Sequence, residues 1–149
     1  MKNLIILLNL VLAFATTTNA QVDKVLVKSV ALTASASAIV DLPGEASLTT
    51  WDNDFIRVTT YLKVDNMSEN IVKQLVIVGR YTLTTELDAT TGTLVITMPK
   101  VANQVTVKGV SLAEYLHFEI NAPEGYQVVI EGQENLDHSS ENTNLGQTM

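Results

Sequence analysis

Between Phe55 and Val64 the chain reads FIRVTTYLKV, and its apolar positions recur with a period of two. Ile56, Val58, Thr60, Leu62 and Val64 fall on one face; Phe55, Arg57, Thr59, Tyr61 and Lys63 fall on the other. Alternation of this kind, rich in β-branched residues, predicts a half-buried strand. YLHFEIN at 115–121 repeats the pattern, with Leu116, Phe118 and Ile120 inward and Tyr115, His117, Glu119 and Asn121 outward. YTLTTEL at 81–87 aligns Tyr81, Leu83, Thr85 and Leu87, and TLVITM at 93–98 aligns Leu94, Ile96 and Met98. The DATTG between them is made of turn formers, so the two strands read as a hairpin. YQVVI and NQVTV predict short strands, and KVLVKSV and AIVDL carry a fainter version of the same signal.

One stretch departs from period two. In NMSENIVKQLVIVGRY, Ile71, Leu75 and Val78 are spaced by four and three, and Val72 and Val76 by four. That spacing predicts a short helix over about Ser68–Val78. Asn66 with Glu69 three residues on resembles a capping box, Ser68 is a second cap candidate, and Gly79 supplies the stop. A buried strand at QLVIV is the competing reading, since a run this short does not separate the two.

Three segments share one plan: PGEASLTTWD at 43–52, PKVANQVTVKG at 99–109 and APEGYQVVIEG at 122–132. In each, a proline fixes φ and withholds a donor, a few residues turn the chain, an alternating run follows, and Gly or Asp ends it. Many short strands at this spacing imply an all-β fold, either an antiparallel sandwich or a short β-solenoid-like stack, here with one short helix.

The ends read differently. MKNLIILLNLVLAFATTTNA pairs Lys2 with an apolar run from Leu4 to Phe14 and small residues at Thr18 and Ala20, the pattern of a secretory signal peptide cut before Gln21. After Gly132, QENLDHSSENTNLGQTM is polar and acidic, and reads as a disordered tail. The expected organisation is therefore a signal peptide at 1–20, one all-β domain at 21–132 and a flexible acidic tail at 133–149. Removing residues 1–20 takes Lys2 and no acid, so 8 of the 9 basic residues and all 16 acidic ones remain, a net charge of −8. That balance argues against nucleic acid, whose phosphates call for a basic footprint, and against anionic lipid heads. No membrane insertion is expected after signal cleavage. Few aromatics and charged outward faces also argue against an outer-membrane barrel. Cysteine is absent, so stability rests on the core alone.

Candidate chemistry is sparse. His117 lies on an outward strand face beside Glu119, and a zinc site calls for three or four N or S ligands. No G-x-S-x-G occurs. Asp52 and Asp54 in WDND suit either a hairpin turn or a cation corner, and turn chemistry explains them more simply. Trp51, Phe55 and Tyr61 occupy odd positions on or near one strand and form either an aromatic binding strip or part of the core. No catalytic residue, cofactor or metal is assigned. The candidate binding surface is Trp51, Asp52, Asp54, Phe55 and Tyr61, with a protein or glycan as its partner.

Three stretches carry a family resemblance: LTTWDNDFIRVTTYLKV, GTLVITMPK and FEINAPEGYQVVIEG. Together, over about Val40–Gly132, they resemble the exported putative-adhesin domain family of bacteria, which includes the head-GIN type. The resemblance implies an all-β exported domain, often with coiled rungs, and little chemistry. This chain stops after one P-x-G-x-x-V strand, where relatives often continue. LDATTGTLVITMPK is also similar to the G-V-L-T-I-x-x-P-K signature of small heat-shock proteins, although here at least two strands follow it. The expectation is a non-enzymatic, adhesin-like structural or binding module of the cell envelope, located in the periplasm, at the cell surface or outside. The alternative is a periplasmic holdase-like β-sandwich.

Overall fold

The structure is a computed structural model and describes residues 21–132; the segments expected to be a signal peptide (1–20) and a flexible tail (133–149) lie outside the described residues. Strong alternation yields long strands. FIRVTTYLKV becomes β4 (Phe55–Asp65), and its predicted inner set, from Ile56 to Val64, is buried at every second residue. YLHFEIN lies within β9 (Ala113–Pro123), where Phe118, Ile120 and Ala122 are buried. The fainter KVLVKSV is also a full strand, β1 (Gln21–Ala31), of 11 residues. These three pair antiparallel, and β3 (Glu45–Trp51) adds a parallel edge, in the order β1-β4-β9-β3.

A second four-stranded sheet has the order β10-β2-β6-β5, from β2 (Ser37–Asp41), β5 (Thr84–Asp88), β6 (Thr93–Thr97) and β10 (Gln127–Ile130). The hairpin expected at DATTG joins β5 to β6. Its turn is closed by Gly92 N–H donating to the Asp88 carbonyl at 2.8 Å, with Gly92 at φ 70°. The Thr90 backbone N–H donates to the Asp88 carboxylate at 2.8 Å and holds that carboxyl below its ordinary range. The β10–β2 and β2–β6 pairs are parallel, so both sheets are mixed. Tyr81 and Leu83 are buried as their alternation predicts, but they precede β5, and Leu87 is left 43% exposed on this edge strand. The remaining strands, β7 (Thr106–Val107) and β8 (Val110–Ser111), form a two-residue hairpin.

The apolar faces of the two four-stranded sheets meet in one hydrophobic cluster, which includes Val40, Ile56, Leu62, Ile96, Phe118 and Ile120. Each such side chain contributes about 1.5–3 kcal/mol when fully buried. The three proline-led segments are not repeats of one rung. The first is β3 in one sheet, the third is β10 in the other, and the second is a 3-10 turn (Pro99–Ala102) followed by β7. Parallel neighbours are also unevenly spaced in sequence: Ser37 pairs with Thr93, and Glu45 with His117. The register is that of two packed sheets rather than of a coil.

The helix reading of residues 68–78 holds: α1 spans Glu69–Ile77 and buries Val72 against the core. Ser68 is the N-cap, but its hydroxyl makes no capping bond, and Asn66 adopts φ 59° instead of closing a capping box. The stop is a Schellman motif. Gly79, at φ 77°, donates to the Val76 carbonyl at 3.0 Å, and Arg80 N–H donates to the Leu75 carbonyl at 3.0 Å.

That motif turns the Arg80 side chain inward. Nε donates to both oxygens of Glu114 at 3.2 and 3.1 Å, and Nη2 bonds Glu114 Oε1 as well. Nη1 donates to the carbonyls of Lys100 and Asn103 at 3.1 and 3.0 Å. Tyr81 OH donates to Glu114 Oε2 at 2.7 Å. Burial, then the Glu114 bond, pushes the Tyr81 phenol well above its ordinary value, and the same carboxylate raises Arg80. The side chains of Arg80 and Glu114 are only 7% and 11% exposed. This cluster ties the helix exit, the 3-10 turn and the start of β9 together.

Two stability predictions follow from the packing. Glu114→Ala leaves a buried guanidinium uncompensated and is expected to cost about 3–5 kcal/mol, read by chemical denaturation. Gly44, in the turn between β2 and β3, packs against backbone, and a Cβ there would overlap the Leu116 carbonyl. Gly44→Ala is therefore expected to cost roughly 1–3 kcal/mol and to lower Tm measurably.

Candidate functional site

The alternation that buries one face of the first sheet displays the other. Cross-strand register arranges the outward residues in rows: Val25–Tyr61–His117–Glu45, then Val27–Thr59–Glu119–Ser47, then Ser29–Arg57–Asn121–Thr49. This face lies opposite the core, and on it Tyr115 is 58% and Tyr61 38% exposed.

Side-chain contacts run along the face from end to end. At one end Arg57 stacks over the Trp51 ring, 4.5 Å from its centroid. Its Nε and Nη2 donate to Asn121 Oδ1 at 3.2 and 3.0 Å, and Asn121 Nδ2 donates to Thr49 Oγ1 at 2.6 Å. Trp51 meets Phe55 edge-on with centroids 4.8 Å apart, and Trp51 Nε1 donates to the Phe55 carbonyl at 3.0 Å. In the middle, Tyr61 OH donates to Glu119 Oε2 at 2.9 Å, a bond that raises the Tyr61 phenol above its ordinary value. Tyr61 also lies 6.0 Å from the His117 ring. At the far end Lys63 Nζ sits 5.5 Å from the Tyr115 centroid. A shallow groove of about 320 Å³ is lined there by Asp23, Val25, Tyr61, Lys63, Tyr115 and His117.

The structure places Trp51, Phe55 and Tyr61 on this one face, but not as a continuous strip. Trp51 and Phe55 form a half-buried pair at one end, and Tyr61 joins His117 and Glu119 in the middle. Asp52 and Asp54 stay in the bend between β3 and β4, beyond the strands that form the face. Among the described residues no group of three or more His, Cys, Asp or Glu side chains is placed to hold a metal ion. Arg57, Asn121, Lys63 and Tyr115 were not singled out from sequence. Their outward position was legible; the pairing of Arg57 with Asn121, 64 residues away, was not.

The Trp51–Phe55 pair has a structural cause. Strands β3 and β4 are joined by three residues, Asp52 to Asp54, yet they do not pair, because β9 lies between them. The bend must cross two strand spacings, about 9.5 Å. Trp51 and Phe55 close the two sides of this split hairpin over the end of β9, where Trp51 pairs with Pro123.

The fold and this surface define a two-sheet β-module with one open sheet face. No protein-family model matches the chain, and no curated protein matches it. Among solved structures, a putative cell adhesion protein from Clostridium sporogenes is similar, at 14% identity and a TM-score of 0.40, over 73% of this chain. The likeness covers 46% of that protein's chain, so this chain spans less than half its length. A likeness so distant transfers no residue role. Among the described residues no helix is long and apolar enough to cross a membrane.

The two ends of the face differ in what they contribute to the fold. Trp51→Ala removes an aromatic pair and a cation–π contact and is expected to cost about 2 kcal/mol. Tyr115→Ala is expected to stay within about 0.5 kcal/mol of the parent. Paired thermal and urea unfolding of the two variants checks both values.

Proposed function

We propose that the protein is an exported, non-enzymatic, adhesin-like binding module, and that the open face of the first sheet is its ligand-facing surface. The observation that carries this reading is the outward face itself. Tyr61, Tyr115, His117 and Lys63 share a shallow groove while the opposite sides of β4 and β9 bury the core. A rigid sheet with exposed tyrosines and alternating donors and acceptors suits recognition of a flat, polar partner such as a glycan or a protein surface. The adhesin-family resemblance of the turn-and-strand motifs agrees with it. The holdase reading is the poorer one: the strand matching the heat-shock signature, β6, does not end the core, because β9, an inner strand of the other sheet, and β10 come after it.

The expected behaviour is cleavage by protease added to intact producing cells, and binding to glycan or matrix arrays. Binding should fall about tenfold or more in the double variant Tyr61→Ala/Tyr115→Ala, with far-UV circular dichroism unchanged. Protection until lysis, or array binding indifferent to the double variant, would sink the reading.

A further inference from the structure

The chain has two arginines among its described residues, and the structure treats them differently. Arg80 is buried against Glu114. Arg57 is half-buried on the open face and makes no ion pair among the described residues. Its guanidinium is nonetheless immobilised. Trp51 supports its plane, and Asn121 Oδ1, itself steadied by Thr49, takes one Nε–H and one Nη2–H. A guanidinium has five N–H donors, so three are left for a ligand. Ordering an arginine side chain costs about 2 kcal/mol of rotamer entropy, and here that ordering is in place beforehand. An immobilised, unpaired guanidinium on an acidic protein is complementary to a carboxylate, which it can take in a planar, bidentate way.

The neighbourhood narrows the ligand. Glu119 lies one row along from Arg57, Glu45 borders His117 and Asp23 borders Lys63. A polyanion would meet these carboxylates and the overall negative charge. A neutral oligosaccharide with one carboxylated sugar would not: its single charge meets Arg57, and its hydroxyls meet Glu119, Thr59, Ser47 and Thr49. The tyrosine groove continues along β4, about 20 Å from Arg57 to Lys63, room for further sugar units. We infer that Arg57, fixed by Trp51 and Asn121, is the carboxylate subsite for an acidic sugar carried on an otherwise neutral glycan. This assignment rests on the open face being the binding surface.

The test uses the protein as its producing cells make it, with sialyllactose, sialyllactose methyl ester, lactose and short polyglutamate as probes in calorimetry. Sialyllactose should bind at least about tenfold more tightly than its ester or lactose, the loss expected when a charge-assisted bidentate contact is removed. Arg57→Lys, which keeps the charge but loses the fork, should abolish that difference. Asn121→Asp places a carboxylate on the guanidinium, and the Thr49 hydroxyl can donate to it where the Asn121 amide had donated to Thr49; it should abolish the difference too, and guards against a folding artefact in the arginine variant. Equal binding of acid and ester, a preference that survives both variants, polyglutamate binding in place of the sugars, or no binding of any sugar would overturn the assignment. If array binding then still depends on Tyr61 and Tyr115, only the carboxylate subsite falls; if it does not, the open-face reading falls with it.

Discussion

The rest of this fold depends on β9 lying between two strands that are neighbours in sequence. Strands β3 and β4 are neighbours in sequence, joined by three residues, and an ordinary hairpin would pair them. Instead β9 lies between them, parallel to β3 and antiparallel to β4. Its residues must close a long chain loop before they gain a hydrogen bond, an entropic cost that grows only slowly with loop length. The return is large because one strand serves every layer. Phe118, Ile120 and Ala122 fill the core, Glu114 receives Arg80, and Pro123 leads into β10 of the other sheet.

The gap between β3 and β4 also sets the residues at its mouth. A bend that spans two strand spacings cannot be a tight two-residue turn, and Asp52, Asn53 and Asp54 suit an open bend whose backbone faces water. The aromatic pair flanking it holds the two arms at the separation β9 requires. The Trp51 indole N–H bonding the Phe55 carbonyl crosses from one arm to the other. Trp51, Asp52, Asp54 and Phe55 are in this sense the hinge of the split hairpin, and Tyr61 alone of the five belongs to the groove.

What could be read from sequence was what local periodicity controls. In β4 each alternate residue from Ile56 to Val64 is buried because period two maps directly onto the two faces of a strand. The helix stop at Gly79 was legible because a left-handed residue after the last apolar position is a local requirement. Parallel partners were not legible, since Ser37 and Thr93 carry nothing in their own neighbourhoods that names the other. The same holds for Arg57 and Asn121. Arg80 was harder still: a charged residue after a helix is ordinarily solvated, and only the arrival of Glu114 from β9 makes its burial tolerable. The repeated proline–turn–strand plan misled in a definite way. It is local grammar for starting a strand, and it opens the edge strands β3 and β10 and the hairpin strand β7, which lie in three different sheets.

The two arginines show how the same side chain is used against opposite backgrounds. In the low-dielectric interior an unpaired guanidinium would be prohibitive, so Arg80 has a carboxylate and three backbone carbonyls around it. On the open face a carboxylate partner would add little stability, because exposed ion pairs are worth at most about 1 kcal/mol. The cross-strand ladder through Asn121 and Thr49 therefore ties β4, β9 and β3 together as well as an ion pair would. It differs in one respect: an amide leaves the cation its charge. A strand inserted to hold a sheet together thus also fixes an uncompensated positive charge at a set position on an otherwise acidic protein.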